Sequence, residues 1–107
     1  MTPSMTAAAY KARQTEAQFQ ATVRKAAHTH GWLSIHFPDM LANPSGFPDL
    51  ILLRGGVCLF VELKRENGKL GLKQEEWIET LGAAGFPVRV WRPSDWDEIE
   101  QTLREAA

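Results

Sequence analysis

Four short apolar runs and three stretches of helical spacing divide this chain. From Thr15 onward, Phe19, Val23, Ala26 and Ala27 mark one face of a helix, and Thr15 with Gln18 three residues later forms a capping-box pattern. After the turn at Gly31, residues 32–37 read as a first strand. Residues 49–54 and 57–64 are two more strands, separated only by Gly55 and Gly56. A second helix is expected over about residues 72–84, with Trp77, Ile78 and Leu81 inward and Gly85 ending it. Residues 86–92 form a fourth strand, and Ser94 with Asp97 is expected to cap a last helix carrying Trp96, Ile99 and Leu103 on one side. Residues 1–14 are small and polar without a period and are expected to fray, leaving 15–107 as one domain. The predicted class is α/β in the order α-β-β-β-α-β-α, with a mixed four-stranded sheet flanked by helices.

The hairpin is the most informative element. If Gly55 and Gly56 are the whole loop, residues whose numbers sum to 111 face each other. Arg54 then faces Val57, Leu52 faces Leu59, Leu50 faces Val61, and Asp49 faces Glu62 with Cβ atoms about 5 Å apart. Side chains alternate along a strand, so Lys64 points the same way as Glu62 and Leu63 points to the other face. Two ionised carboxylates at that separation repel by roughly 3 kcal/mol at an effective dielectric of 20. The apolar run around them predicts strands buried on both faces, where such repulsion is hard to relieve.

A hard divalent cation relieves it. Mg²⁺ takes oxygen ligands and is commonly held by one or two carboxylates plus water and substrate phosphate. The Lys64 ammonium alongside suits orienting or deprotonating an attacking water. The plainer alternative is a strand-end salt bridge between Glu62 and Lys64, with Asp49 as a turn residue after Pro48. A second Pro-Asp pair, Pro38-Asp39, lies in a stretch rich in loop residues and has no hairpin register with Glu62, so Asp39 is assigned to the loop. Glu16 shares the inward stripe of the first helix, and its carboxylate is expected to point toward the sheet; a first-turn acid favoured by the helix dipole is the alternative. Gln20, one turn on, can hydrogen-bond near the same place. Gln74 precedes Trp77 by three residues and Ile78 by four, which puts it on the inward face of the second helix, within reach of a phosphate or a metal-bound water.

These residues resemble a known family. Pro48-Asp49 followed by Glu62-Leu63-Lys64 resembles the signature of the PD-(D/E)XK nucleases. The fuller pattern is similar to the small VRR-NUC domains: Glu16 and Gln20 in the first helix, Gly46-Phe47-Pro48-Asp49-Leu50, Val61-Glu62-Leu63-Lys64, Gly68-Lys69-Leu70, Gln74 opening the next helix, and Gly85 before an apolar strand. The resemblance spans about residues 15–105 and implies a restriction-endonuclease-like core. It further implies a Mg²⁺-dependent endonuclease, with Mn²⁺ as a substitute, acting on DNA and above all on branched DNA such as four-way junctions. Asp49, Glu62 and the Leu63 carbonyl would hold the metal, Lys64 would position the water, Glu16 would assist a second ion and Gln74 would orient water or phosphate. The products would carry 5′-phosphate and 3′-hydroxyl ends.

Composition adds bounds. With 107 residues and 44% apolar positions, one domain with a modest core is expected. No apolar run approaches membrane-spanning length and no leader pattern opens the chain, so neither a membrane nor secretion is expected. The single Cys58 is expected to be a small buried hydrophobe, which suits a reducing cytoplasm of bacterial or phage-like setting. His28, His30 and His36 have no partner cysteines and no helical i,i+4 pair, so no zinc site is expected; a phosphate contact by His28 or His30 stays open.

Net charge is only −1, yet residues 1–73 carry a balance of +4 and residues 74–107 one of −5. Surface scatter with an acidic last helix accounts for this, and so does a ring of Lys11, Arg13, Arg24, Lys25, Arg65, Lys69 and Lys73 that meets DNA phosphates around the carboxylates. A non-cleaving nucleic-acid-binding module of the same fold is the runner-up function. A hydrolase of small phosphorylated molecules is disfavoured, because no glycine-rich phosphate cradle precedes a helix. Symmetric nicking of a junction needs two sites, so a homodimer is expected, with Phe86, Trp91, Trp96 and the loop around residues 37–47 as apolar interface material.

Overall fold

Thr15 starts the first helix as its spacing predicts: its hydroxyl accepts from the Gln18 amide at 3.1 Å, and the Gln18 side chain accepts from the Thr15 amide at 2.9 Å. The computed structural model describes residues 13–36 and 44–105. It contains α1 (Glu16–Thr29), β1 (Leu33–His36), β2 (Leu50–Arg54), β3 (Val57–Leu63), α2 (Leu72–Ala83), β4 (Val88–Trp91), a 3₁₀ turn (Pro93–Asp95) and α3 (Trp96–Glu105). The sheet runs β1-β2-β3-β4, antiparallel across the first two junctions and parallel between β3 and β4. Since parallel neighbours need a crossover, α2 makes the return from β3 to β4. This is the mixed four-stranded α/β arrangement that the sequence predicts.

The hairpin register is as expected. Leu50 pairs with Val61, Leu52 with Leu59 and Arg54 with Val57. Both loop glycines adopt positive φ, +54° at Gly55 and +83° at Gly56, a conformation that suits a tight two-residue connection. Alternation then divides the sheet. Leu50, Leu52, Leu59, Val61, Leu63 and Trp91 face a closed core with Phe19, Val23 and Ala27 of α1 and Ile99 and Leu103 of α3. The opposite face meets α2 through edge-on ring contacts, Phe47 to Trp77 at 5.0 Å and Phe47 to Phe60 at 6.1 Å.

Several expectations need correction. The first strand starts at Leu33, because Trp32 still donates its amide to Ala27 and sends its indole N–H to the Leu103 carbonyl at 2.8 Å. The fourth strand is trimmed at both ends. Phe86 closes the exit of α2 by donating to Leu81, and the Arg92 amide turns to the Asp95 carboxylate at 2.8 Å. Ser94 is therefore not the cap of the last helix. Pro93 begins a 3₁₀ turn in which Asp95 takes the capping role, and the Ser94 amide instead donates to Glu66 at 2.9 Å. Cys58 is half-buried, not buried, since α2 leaves the hairpin end of its face open. Trp91 lies wholly within the core and is no interface residue. Phe86 is 45% exposed, with one edge on Phe60. Asp39, Lys11 and residues 37–43 lie outside the described residues, as does residue 1–14 except Arg13 and Gln14.

Candidate active site

Asp49 immediately precedes β2, and Glu62 is the penultimate residue of β3. The observed register, carried one step beyond Leu50 and Val61, sets them opposite each other on the α2 face of the sheet. Asp49 is fixed by its Oδ2 accepting from the Leu63 amide at 2.8 Å. Glu62 is 2% exposed and stands as the buried charged residue among core positions. Its Oε1 accepts from Gln74 Nε2 at 3.3 Å, and its Oε2 meets no hydrogen-bond donor among the described residues. Burial pushes Glu62 from its ordinary 4.5 up to about 9, reinforced by the Asp49 carboxylate, which favours a protonated neighbour; Lys64 works against the rise.

Gln74 reaches Glu62 for a local reason. It is the third residue of α2, and its Oε1 caps the helix by accepting from the Gly71 amide at 2.8 Å. That bond leaves the amide N–H₂ turned toward the sheet. Lys64 follows the end of β3, its backbone held by the Trp91 carbonyl at 3.0 Å and its side chain 13% exposed. Glu16 arrives from the helix on the other face and meets Lys64 around the sheet end, with Nζ and Oε1 3.9 Å apart. Glu16 is thus directed at Lys64 and half in solvent, and the described residues contain no cluster of three acidic, histidine or cysteine side chains closing around one point.

The structure joins Asp49, Glu62, Lys64, Gln74 and Glu16 in one place and scatters the basic residues. Arg65 directly follows Lys64, and Lys73 directly precedes Gln74; Lys69 lies exposed in the loop between them. Arg24 and Lys25 are exposed on α1, about 12 Å along the helix axis from Glu16, and do not converge on the carboxylates.

Three features escape sequence reasoning. Gly46 has φ +82°, and a Cβ there would lie 2.6 Å from the Lys73 carbonyl carbon and 2.8 Å from the Gln74 nitrogen. The loop before Asp49 therefore rests directly on the first turn of α2. His36 Nδ1 lies 2.7 Å from Gln20 Nε2, linking α1 to the end of β1, where His36 pairs with Leu50. The Arg92 guanidinium bonds the carbonyls of Arg65, Glu66 and Gly68 and fastens the loop that follows Lys64. Gly46 alone left a signal, as the glycine three positions before Asp49 in the Gly46-Phe47-Pro48-Asp49 pattern.

A buried, orphaned carboxylate oxygen beside a second carboxylate is the feature a cation would complete. The sequence profile of the VRR-NUC domain matches residues 6–95. The chain belongs to the VRR-NUC family. The family lies within the restriction-endonuclease-like superfamily and is of nuclease type. A solved VRR-NUC domain shares 26% identity and superposes with a TM-score of 0.70 over 88% of this chain and 99% of its own. A second solved VRR-NUC domain protein, at 24% identity and TM-score 0.66, covers 83% of this chain and 87% of its own and shows the fold alone. No curated protein matches the chain. No described helix is long and apolar enough to cross a membrane.

Proposed function

We propose that this VRR-NUC domain is a Mg²⁺-dependent endonuclease that hydrolyses phosphodiester bonds in DNA, with branched DNA such as four-way junctions as its substrate and a homodimer as its working form. The observation that carries the reading is Glu62: a carboxylate 2% exposed, with one oxygen that meets no donor and the Asp49 carboxylate as its neighbour, fits a divalent cation in place of the proton the two acids otherwise share. Asp49, Glu62 and the Leu63 carbonyl would hold the ion, Mn²⁺ serving in place of Mg²⁺. When bound, such an ion polarises the scissile phosphate and stabilises the charge that develops on it.

The protein's own groups supply the rest. Asp49 is held by Leu63 through Oδ2, which fixes the carboxylate that would ligate the cation. Lys64 presents an ammonium at the edge of the site, where it orients the attacking water and stabilises negative charge as the water loses its proton. Glu16 steadies that ammonium at 3.9 Å. Gln74, with Oε1 committed to the helix cap, offers its N–H₂ to Glu62 or to a phosphate oxygen. Arg65, Lys69 and Lys73 flank the site as phosphate contacts, and Arg24 and Lys25 would engage DNA farther along α1.

The test is incubation of the protein with linear, flapped and four-way DNA in Mg²⁺ and in Mn²⁺, beside Asp49→Ala. Cleavage of the branched forms by the native protein alone is expected. Equal cutting by Asp49→Ala, or no cutting of any substrate in either metal, would sink the reading.

A further inference from the structure

Lys73, Glu76, Trp77 and Thr80 recur at i, i+3, i+4 and i+7, so they share one face of α2, next to the face that carries Gln74. Pro44 and Ser45 stand across from them, and the six residues line a cleft of about 330 Å³. Trp77 is not a loose surface ring. Its indole N–H donates to the Ser45 carbonyl at 3.1 Å, and the edge-on Phe47 ring holds it at 5.0 Å. At the rim, the Lys73 side chain is 71% exposed, and its ammonium is only loosely met by Glu76 at 4.0 Å.

We propose that this cleft receives the base of an unpaired DNA nucleotide next to the scissile phosphate, stacked on Trp77, with Lys73 on its phosphate. The inference rests on the nuclease reading and names the substrate feature that reading leaves open. A pinned aromatic ring accepts any base through its π-face, and a lysine beside it supplies the charge that the backbone needs. The volume is at the small end of ligand pockets, right for one nucleotide and too small for a base pair with its backbones. Position also fits. Ser45 lies four residues before Asp49, so their Cα atoms are at most about 14 Å apart, and Lys73 adjoins Gln74, which bonds Glu62. A base stacked inside intact duplex cannot enter such a cleft without leaving its stack, so among branched DNAs the cleft favours those whose strand is already open at the cut, as at a flap, over a fully paired four-way junction, where a base at the crossover must first unstack.

The test measures binding by fluorescence anisotropy in Ca²⁺, using a flapped duplex with a single abasic site moved through the unpaired strand. One position is expected at which loss of the base weakens binding about tenfold. In Thr80→Phe, which fills the cleft from an exposed helix position and whose fold is checked by circular dichroism, the ratio of intact to abasic affinity at that position should fall to near one. A flat abasic profile, or a sensitive position that is unchanged in Thr80→Phe, overturns the proposal. If those results come with Asp49-dependent cleavage in Mg²⁺, only the cleft assignment fails; if no Asp49-dependent cleavage is seen, the nuclease reading fails with it.

Discussion

Glu62 keeps a proton in the metal-free protein across a wide pH range, because its carboxylate is buried beside Asp49 and rises from 4.5 to about 9. Between those values the folded chain holds a proton that the unfolded chain has released, so the stability of the metal-free protein must fall as pH rises, by at most about 1.4 kcal/mol per pH unit. Urea unfolding in EDTA at pH 6 and pH 8.5 should show that loss in the native protein and a much flatter profile in Glu62→Gln, which should be the more stable of the two at pH 8.5. A pH-independent native protein would mean that Glu62 is ionised when folded. Asp49→Asn should likewise fold well, since an amide oxygen can still accept from Leu63, while cleavage is lost. Lys64→Ala separates two roles. An ammonium that acts on the water should cost about 10²-fold or more in turnover with Mg²⁺ affinity unchanged or slightly tighter by calorimetry; a large loss of metal affinity would make Lys64 a prop for the carboxylates.

At the scale of elements, the site is a joint between the β2–β3 hairpin and the first turn of α2, and Gly46 is the contact that sets the joint. Its positive φ and its approach to the Lys73 and Gln74 backbone leave no room for a methyl group. Gly46→Ala should destabilise the fold by about 1–3 kcal/mol and lower turnover beyond what the stability loss explains, because relief of the clash moves Gln74 away from Glu62. Thermal melts and single-turnover rates on folded protein check both parts. A variant as stable and as active as the native chain would show that the loop and α2 part freely. Ser94 and Asp95 are both good capping residues in one short stretch; the Ser94 amide, which a Ser94–Asp97 box would tie to Asp97, goes to the distant Glu66, and Asp95 closes the 3₁₀ turn on the Arg92 amide.

At the scale of the whole molecule, two nicks across a junction would require two equivalent sites, and the facing carboxylates of Asp49 and Glu62 make one site per chain among the described residues. Light scattering at micromolar concentration should give twice the 12 kDa chain mass; a single-chain mass both free and on DNA would defeat the dimer and leave the metal site standing. With Trp91 inside the core, the exposed Leu33 and Ile35 on the edge strand β1 are the apolar side chains to examine in such a dimer. The sequence by itself determined the pairing at the centre of the site. Gly55 and Gly56 permit only a short loop, a short loop fixes register, and register with strand alternation brings Asp49, Glu62 and Lys64 to one face through local geometry alone. The capped start of α1 and the inward position of Gln74 were legible for the same reason, being set within one or two helical turns. Tertiary structure alone decided that Glu16 reaches Lys64 around the sheet end, that Gln20 meets His36, that Arg92 ties down the loop after Lys64, and that Glu62 is left with an unpartnered oxygen. Those contacts depend on how helices cross a twisted sheet and which side chains the packing leaves without water, and no periodicity along a chain encodes either.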